Sequence, residues 1–185
     1  MPADAALTLR AGRQAYLAAS GLPADGGYDE KWVRFKVLGI PVAFPNTQAR
    51  RRQVPIHDAH HVLTGYATDL AGEAEIGAWE IGSACDGPAR YLGLLVMGFV
   101  LPAAPARLFH AFVRGRGCTN YYESGIDDTL LDRTLGTLRS ELGLDVAVGP
   151  SNARDRAAFL GWSLLALAMV WGQLAAIALL WWAFQ

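Results

Sequence analysis

Apolar positions recur at helical spacing through most of the chain, and the elements they predict are helices almost throughout. Leu7 to Ala19 reads as one helix, stopped by Gly21 and Pro23, and Glu30 to Leu38 reads as another. Ile40 to Asn46, broken by Pro41 and Pro45, reads as loop. Val54, Ile56, Val62 and Leu63 support a helix running to Thr64, with Gly65 as its cap. Tyr66 to Asp69 is a short connection, and Thr68 or Asp69 caps a second helix that carries Gly72 and Glu73 in its early turns. Asp128 to Leu142 is an amphipathic helix closed by Gly143, and Asp145 to Val148 a short strand. The pattern predicts an all-α fold, a single helical domain over residues 1–150 followed by a C-terminal transmembrane helix.

Two apolar runs differ in length. Tyr91 to Leu101 is too short to span a bilayer. It suits a core helix, or an interfacial helix or the wall of an apolar groove, with Gly93 and Gly98 permitting close packing. Residues 157–185 hold no charge. Phe159 to Phe184 makes a helix about 39 Å long, against a hydrocarbon core of about 30 Å. Trp162 and the pair Trp181-Trp182 stand about 28 Å apart on it, as interfacial belts do, with Gln173 the one awkward residue between them. Arg154 and Arg156 flank the near end, so a tail-anchored chain with a cytoplasmic globular part is expected.

Composition narrows the function. A net charge of -1 and the lack of a basic stripe interleaved with aromatics argue against nucleic acid as a partner. Cys85 and Cys118, the only cysteines, read as ordinary buried thiols in a reducing compartment. No N-terminal run is apolar enough for a signal peptide. The Arg50-Arg51-Arg52 run reads as a solvated helix start, or as an anion site for lipid head groups or a carboxylate.

The strongest chemical signal is His57-Asp58-Ala59-His60-His61, followed after eleven residues by Glu73. On a helix His57 and His61 lie about 40° apart on one face, with Asp58 about 60° from His61. Two imidazoles with one or two carboxylates suit zinc or another divalent first-row metal. His60 is as admissible as Asp58 by spacing alone. The His-x-x-His-His box of di-iron membrane enzymes is excluded, because those need about eight histidines and this chain has four, the last being His110.

The string HDAHHVLTGYATDLAGE, with Glu80 beyond it, resembles the signature of the Coq4-type coenzyme Q biosynthesis family. Asn120-Tyr121-Tyr122-Glu123 is similar to that family's tyrosine pair and glutamate, and LRSELGL at Leu138–Leu144 to its C-terminal helix. Two features fall outside the resemblance: Ser124 to Asp128 lacks basic and aromatic character, and the apolar tail is additional. The resemblance implies His57, Asp58, His61 and Glu73 as ligands of Zn2+, and ubiquinone synthesis as the function. The activity it implies is metal-dependent (oxidative) decarboxylation at ring C1 of a polyprenylated hydroxybenzoate. The alternative is a non-catalytic membrane scaffold for prenylated intermediates and biosynthetic enzymes, and a metal-dependent hydrolase ranks last. Arg52, Tyr121 and Tyr122 are the expected substrate-binding residues. The expected partners are a prenylated quinone precursor, the membrane, and other quinone-biosynthesis enzymes or a second copy of the chain.

Overall fold

The computed structural model describes residues 4–37 and 40–185. In chain order the elements are α1 (Leu9–Ala19), β1 (Trp32–Val37), β2 (Ile40–Pro45), α2 (Gln48–Thr64), α3 (Leu70–Gly82), α4 (Gly87–Val100), α5 (Pro105–Arg116), α6 (Asp128–Leu131), α7 (Leu135–Leu142) and α8 (Ala153–Ala183). Among the described residues the fold is therefore helical, with one two-stranded sheet. The chain divides into two compact units, Met1–Gly65 with Tyr121–Leu138, and Tyr66–Asn120 with Arg139–Gln185.

In the first unit α1 packs on α2 and on α6. Side-chain caps start both long helices: the Thr8 hydroxyl accepts from the Ala11 amide and the Thr47 hydroxyl from the Arg50 amide. Gly65 closes α2 in the left-handed region at φ 78°, a conformation that costs a residue with a Cβ.

The stretch expected as a helix from Glu30 is instead β1, antiparallel to β2, with Trp32 opposite Pro45 and Val37 opposite Ile40. Leu38 lies outside the described residues. Trp32 to Val37 is rich in aromatic and β-branched residues at alternating positions, which favours a strand. The expected loop over Ile40–Asn46 becomes β2, because a two-stranded ladder is all edge and tolerates Pro41 and Pro45.

The helix expected over Asp128–Leu142 is broken into α6 and α7. The Leu135 amide donates to the Leu7 carbonyl at 2.8 Å and the Arg133 carbonyl accepts from the Leu9 amide at 2.9 Å, so a distant segment satisfies the backbone at the break. Asp145–Val148 forms no strand: the two described strands pair with each other, and Val146 and Val148 are exposed.

In the second unit α3 packs against α4 and α5, and α8 against α4. Small residues let the backbones meet. A Cβ on Gly77 would stand 2.9 Å from Gly93 Cα, and one on Gly115 2.1 Å from the Trp79 carbonyl oxygen. Asn152 and Asp155 form a capping box at the start of α8. Asp155 also takes an ion pair from Arg116 at 3.0 Å. Along α8, Ser163, Ala166 and Val170 are buried, whereas residues 171–185 are exposed. At 31 residues α8 is long and apolar enough to cross a membrane. The awkward Gln173 has a partner, since its amide donates to the Tyr91 hydroxyl of α4 at 3.3 Å.

Gly115→Ala drives a methyl into the α3 backbone and is expected to lower stability by about 1–3 kcal/mol. Gly161→Ala, which meets nothing within 4 Å, should leave it level or raise it by up to about 1 kcal/mol. Melting of both variants in detergent checks the pair, and equal melting points would overturn the close-packing account.

Candidate metal centre

The candidate centre is built on α2. Its helical phase sets Arg50, Val54, His57 and His61 along one face, and turns Arg52 about 140° away from His57. His57 and His61 approach until their Nε2 atoms are 3.2 Å apart, with the rings nearly perpendicular at 87°. Two nitrogens bound to one tetrahedral ion at about 2.0–2.1 Å stand about 3.3 Å apart. The observed pair therefore fits a shared divalent metal. Tyr16 of α1 stacks on the His61 ring, centroids 5.7 Å apart and planes 22° apart, which holds its orientation.

Asp58, next to His57, is buried at 5% exposure and has found donors. The Tyr28 hydroxyl donates to one carboxylate oxygen at 2.7 Å and the Tyr16 hydroxyl to the other at 3.3 Å. Burial raises the Asp58 carboxyl above the ordinary carboxylate range, opposed by the Tyr28 hydrogen bond, the His57 and His61 charges and the Tyr16 bond. Burial first, then the Asp58 charge, pushes the Tyr28 hydroxyl well above its usual value. Each carboxylate oxygen accepts one tyrosine and keeps a lone pair, as a hydrogen-bonded ligand would.

His60 stands apart from this pair. It is fully buried, and its Nε2 accepts the Tyr121 amide at 3.2 Å. The Tyr121 ring stacks on it at 6.2 Å, and Tyr122 meets it edge-on at 5.1 Å. The two tyrosines expected to touch substrate thus lie against His60, and Arg52, the third residue expected to bind substrate, is exposed.

In the second unit Asp69 caps α3, accepting from the Gly72 amide at 2.8 Å, and Glu73 follows in the first turn. Glu80, buried at 2% exposure, falls on the same side of α3 two turns later. As candidate ligands, His57, His61 and Glu73 make up a set that could hold a metal ion. The second unit also carries an open apolar groove of about 480 Å³, lined by Leu101, Phe109, Phe159, Leu160 and Leu164 with Arg156 beside them. Cys85 and Cys118 are free, and burial pushes the Cys85 thiol up to about 12, in keeping with an inert thiol.

Tyr16 and Tyr28 are neighbours that sequence reasoning missed, and Arg50 is one it named only within the Arg50-Arg51-Arg52 run. The first two lie 42 and 30 positions from Asp58, a separation with no spacing signature. Arg50 could have been found from helical phase, which separates it from Arg52. No protein-family model, curated protein or solved structure matches the chain.

Two outcomes follow from this geometry. Tyr28→Phe is expected to cost about 1.5–3 kcal/mol and Tyr16→Phe less, since a short bond to a charged acceptor is the stronger one; urea titration ranks them. The folded pKa of Asp58 lies above its unfolded value, so this group's contribution is full below about pH 4 and is lost as pH rises through the folded pKa. Asp58→Asn should flatten that part of the metal-free stability profile, and an unchanged profile would refute the assignment.

Proposed function

We propose that the chain is a membrane-anchored metalloprotein of ubiquinone biosynthesis, acting at ring C1 of a polyprenylated hydroxybenzoate. One observation carries the reading: the His57–His61 pair, at a spacing suited to a shared metal, sits inside the HDAHHVLTGYATDLAGE string. His57 and His61 serve as ligands, Glu73 as the third, and Asp58 either completes the set or steadies it through Tyr16 and Tyr28. Zinc fits the nitrogen and oxygen donors, as do other divalent first-row ions. When bound, such an ion supplies Lewis-acid polarisation and a template for an oxygen ligand.

In the non-oxidative form of the reaction a proton is added at C1 and the C1–carboxylate bond breaks. Carbon dioxide leaves, and the electron pair returns through the ring to the para oxygen. The oxidative form places a hydroxyl on C1, and consumes dioxygen and two reducing equivalents. Membrane substrates suit the exposed apolar half of α8 and the apolar groove beside it. Arg154 and Arg156 at the start of α8 favour a cytoplasmic globular part. The exposed apolar residues Tyr91, Leu92 and Phe99 of α4 favour a second reading, a scaffold that holds prenylated intermediates and partner enzymes at the membrane.

The purified chain is expected to bind about one Co2+ or Zn2+, to lose it in His57→Ala and His61→Ala, and to keep it in His60→Gln. Metal content by mass spectrometry decides this, and a His61→Ala protein that holds its metal overturns the ligand assignment. Cells lacking the chain should accumulate a C1-carboxylated polyprenyl phenol, cleared by wild type and not by His61→Ala. Turnover by purified protein then separates catalyst from scaffold, and an unchanged quinone profile in the deletion refutes both.

A further inference from the structure

The helix α4 carries more apolar surface than its own unit covers. Ala89, Leu94, Met97 and Val100 are buried, while Leu92, Leu95, Val96 and Phe99 form a second stripe at i, i+3, i+4 and i+7. Leu92 and Phe99 are 50% and 59% exposed, and Leu95 and Val96 are half-buried. The stripe holds no polar side chain, and from Tyr91 to Ala106 the sequence carries no charge. Arg90, the one cation of α4, falls about 120–180° from the stripe. There its Nε donates to the Cys85 carbonyl at 2.7 Å, and its guanidinium stands 5.5 Å from the centre of the Trp162 ring of α8. A contiguous apolar stripe left open on a packed helix marks an interaction surface.

The seat of α4 on α8 identifies the partner. Arg90 reaches Trp162, a Cβ on Gly98 would stand 2.5 Å from the Ala166 carbonyl oxygen, and the Tyr91 hydroxyl accepts from the Gln173 amide. From Trp162 to Gln173 these contacts cover about 17 Å of the α8 axis. All of them fall within the uncharged part of the helix that is long and apolar enough to cross a membrane. A bilayer that takes up α8 from the level of Trp162 therefore meets α4 at the same depth. The apolar surface also runs unbroken from one helix to the other. Leu101, directly after α4, lines the open groove with Leu160 and Leu164 of α8, both exposed. With 14 residues α4 is about 21 Å long, too short to span, which suits a helix lying in the interface.

We propose that α4 is a second membrane-contacting element of this chain, lying in the lipid interface beside α8 with its Leu92–Leu95–Val96–Phe99 stripe covered by the acyl chains of one leaflet. Arg90 and Trp162 mark its polar edge. The proposal rests on the membrane anchoring proposed above and on no part of the metal or quinone chemistry.

The test places an environment-sensitive dye on single cysteines of the full chain in phosphatidylcholine vesicles. Cys118→Ala provides the background, because the remaining Cys85 thiol is buried and inert. Leu92→Cys and Phe99→Cys probe α4, and Leu179→Cys the bare half of α8. Val146→Cys, in a cavity that Asn152 and Asp155 also line, is the aqueous control. All four positions are exposed, so the label disturbs no packing. At Leu92 and Phe99 the dye is expected to emit at shorter wavelength than at Val146. It should be quenched more by lipid with a nitroxide near the head group than by lipid with one at the chain end. At Val146 it should be quenched by aqueous iodide and by neither lipid. Iodide quenching at Leu92 and Phe99 equal to that at Val146, with Leu179 in lipid, overturns the proposal and leaves the anchor standing. A blue shift at Leu92 and Phe99 with no quenching by either lipid also overturns it, since protein then covers the stripe. Iodide quenching at Leu179 as well refutes the membrane anchoring on which the proposal rests.

Discussion

A carboxylate withdrawn from water has to be met by donors, and in the first unit that requirement falls on Asp58. Its two oxygens draw in Tyr16 from α1 and Tyr28 from the segment ahead of the hairpin. An unmet ionised carboxylate at this depth would cost several kcal/mol, enough to change its protonation state instead. The tyrosines therefore do more than decorate the site. They tie α1 and the Tyr28 segment to α2, and Tyr16 stacks on His61 as it does so. The imidazole pair inherits its surroundings from the way its neighbouring charge was satisfied.

The second unit depends on a different constraint, the distance between helix backbones. Gly77 against Gly93, and Gly115 against Trp79, allow α4 and α5 to approach α3 more closely than any residue with a side chain permits. That packing covers one stripe of the first half of α8, through Ser163, Ala166 and Val170, and leaves the second half bare. Residues 171–185 carry apolar side chains on every side and are exposed, and α8 is long and apolar enough to cross a bilayer.

The two histidine environments within one pentapeptide show how finely helical phase divides chemistry. His57 and His61 share a face and come within 3.2 Å, while His60 turns inward, where it accepts the Tyr121 amide and meets two aromatic rings. His60 is thereby a packing residue in a motif whose other imidazoles face each other. The same division separates Arg50 from Arg52. In each case residues of one type, at most three positions apart, are given different surroundings by 100° of rotation per residue.

Local physics was readable directly from the chain. Helix caps at Gly65 and Asp69, the facing pair His57 and His61, and the long apolar tail each follow from a few adjacent residues and from helical or membrane dimensions. The hairpin was misread because Trp32 to Val37 is short enough to suit either period, and its pairing with Ile40–Pro45 decided it. The break between α6 and α7 came from Leu7, Thr8 and Leu9 competing for backbone bonds more than a hundred positions away. Tyr16 and Tyr28 at Asp58, and Gln173 on Tyr91, were likewise settled in three dimensions. Which distant donor answers a buried acceptor depends on where packing brings the chain, and no spacing in the sequence records that.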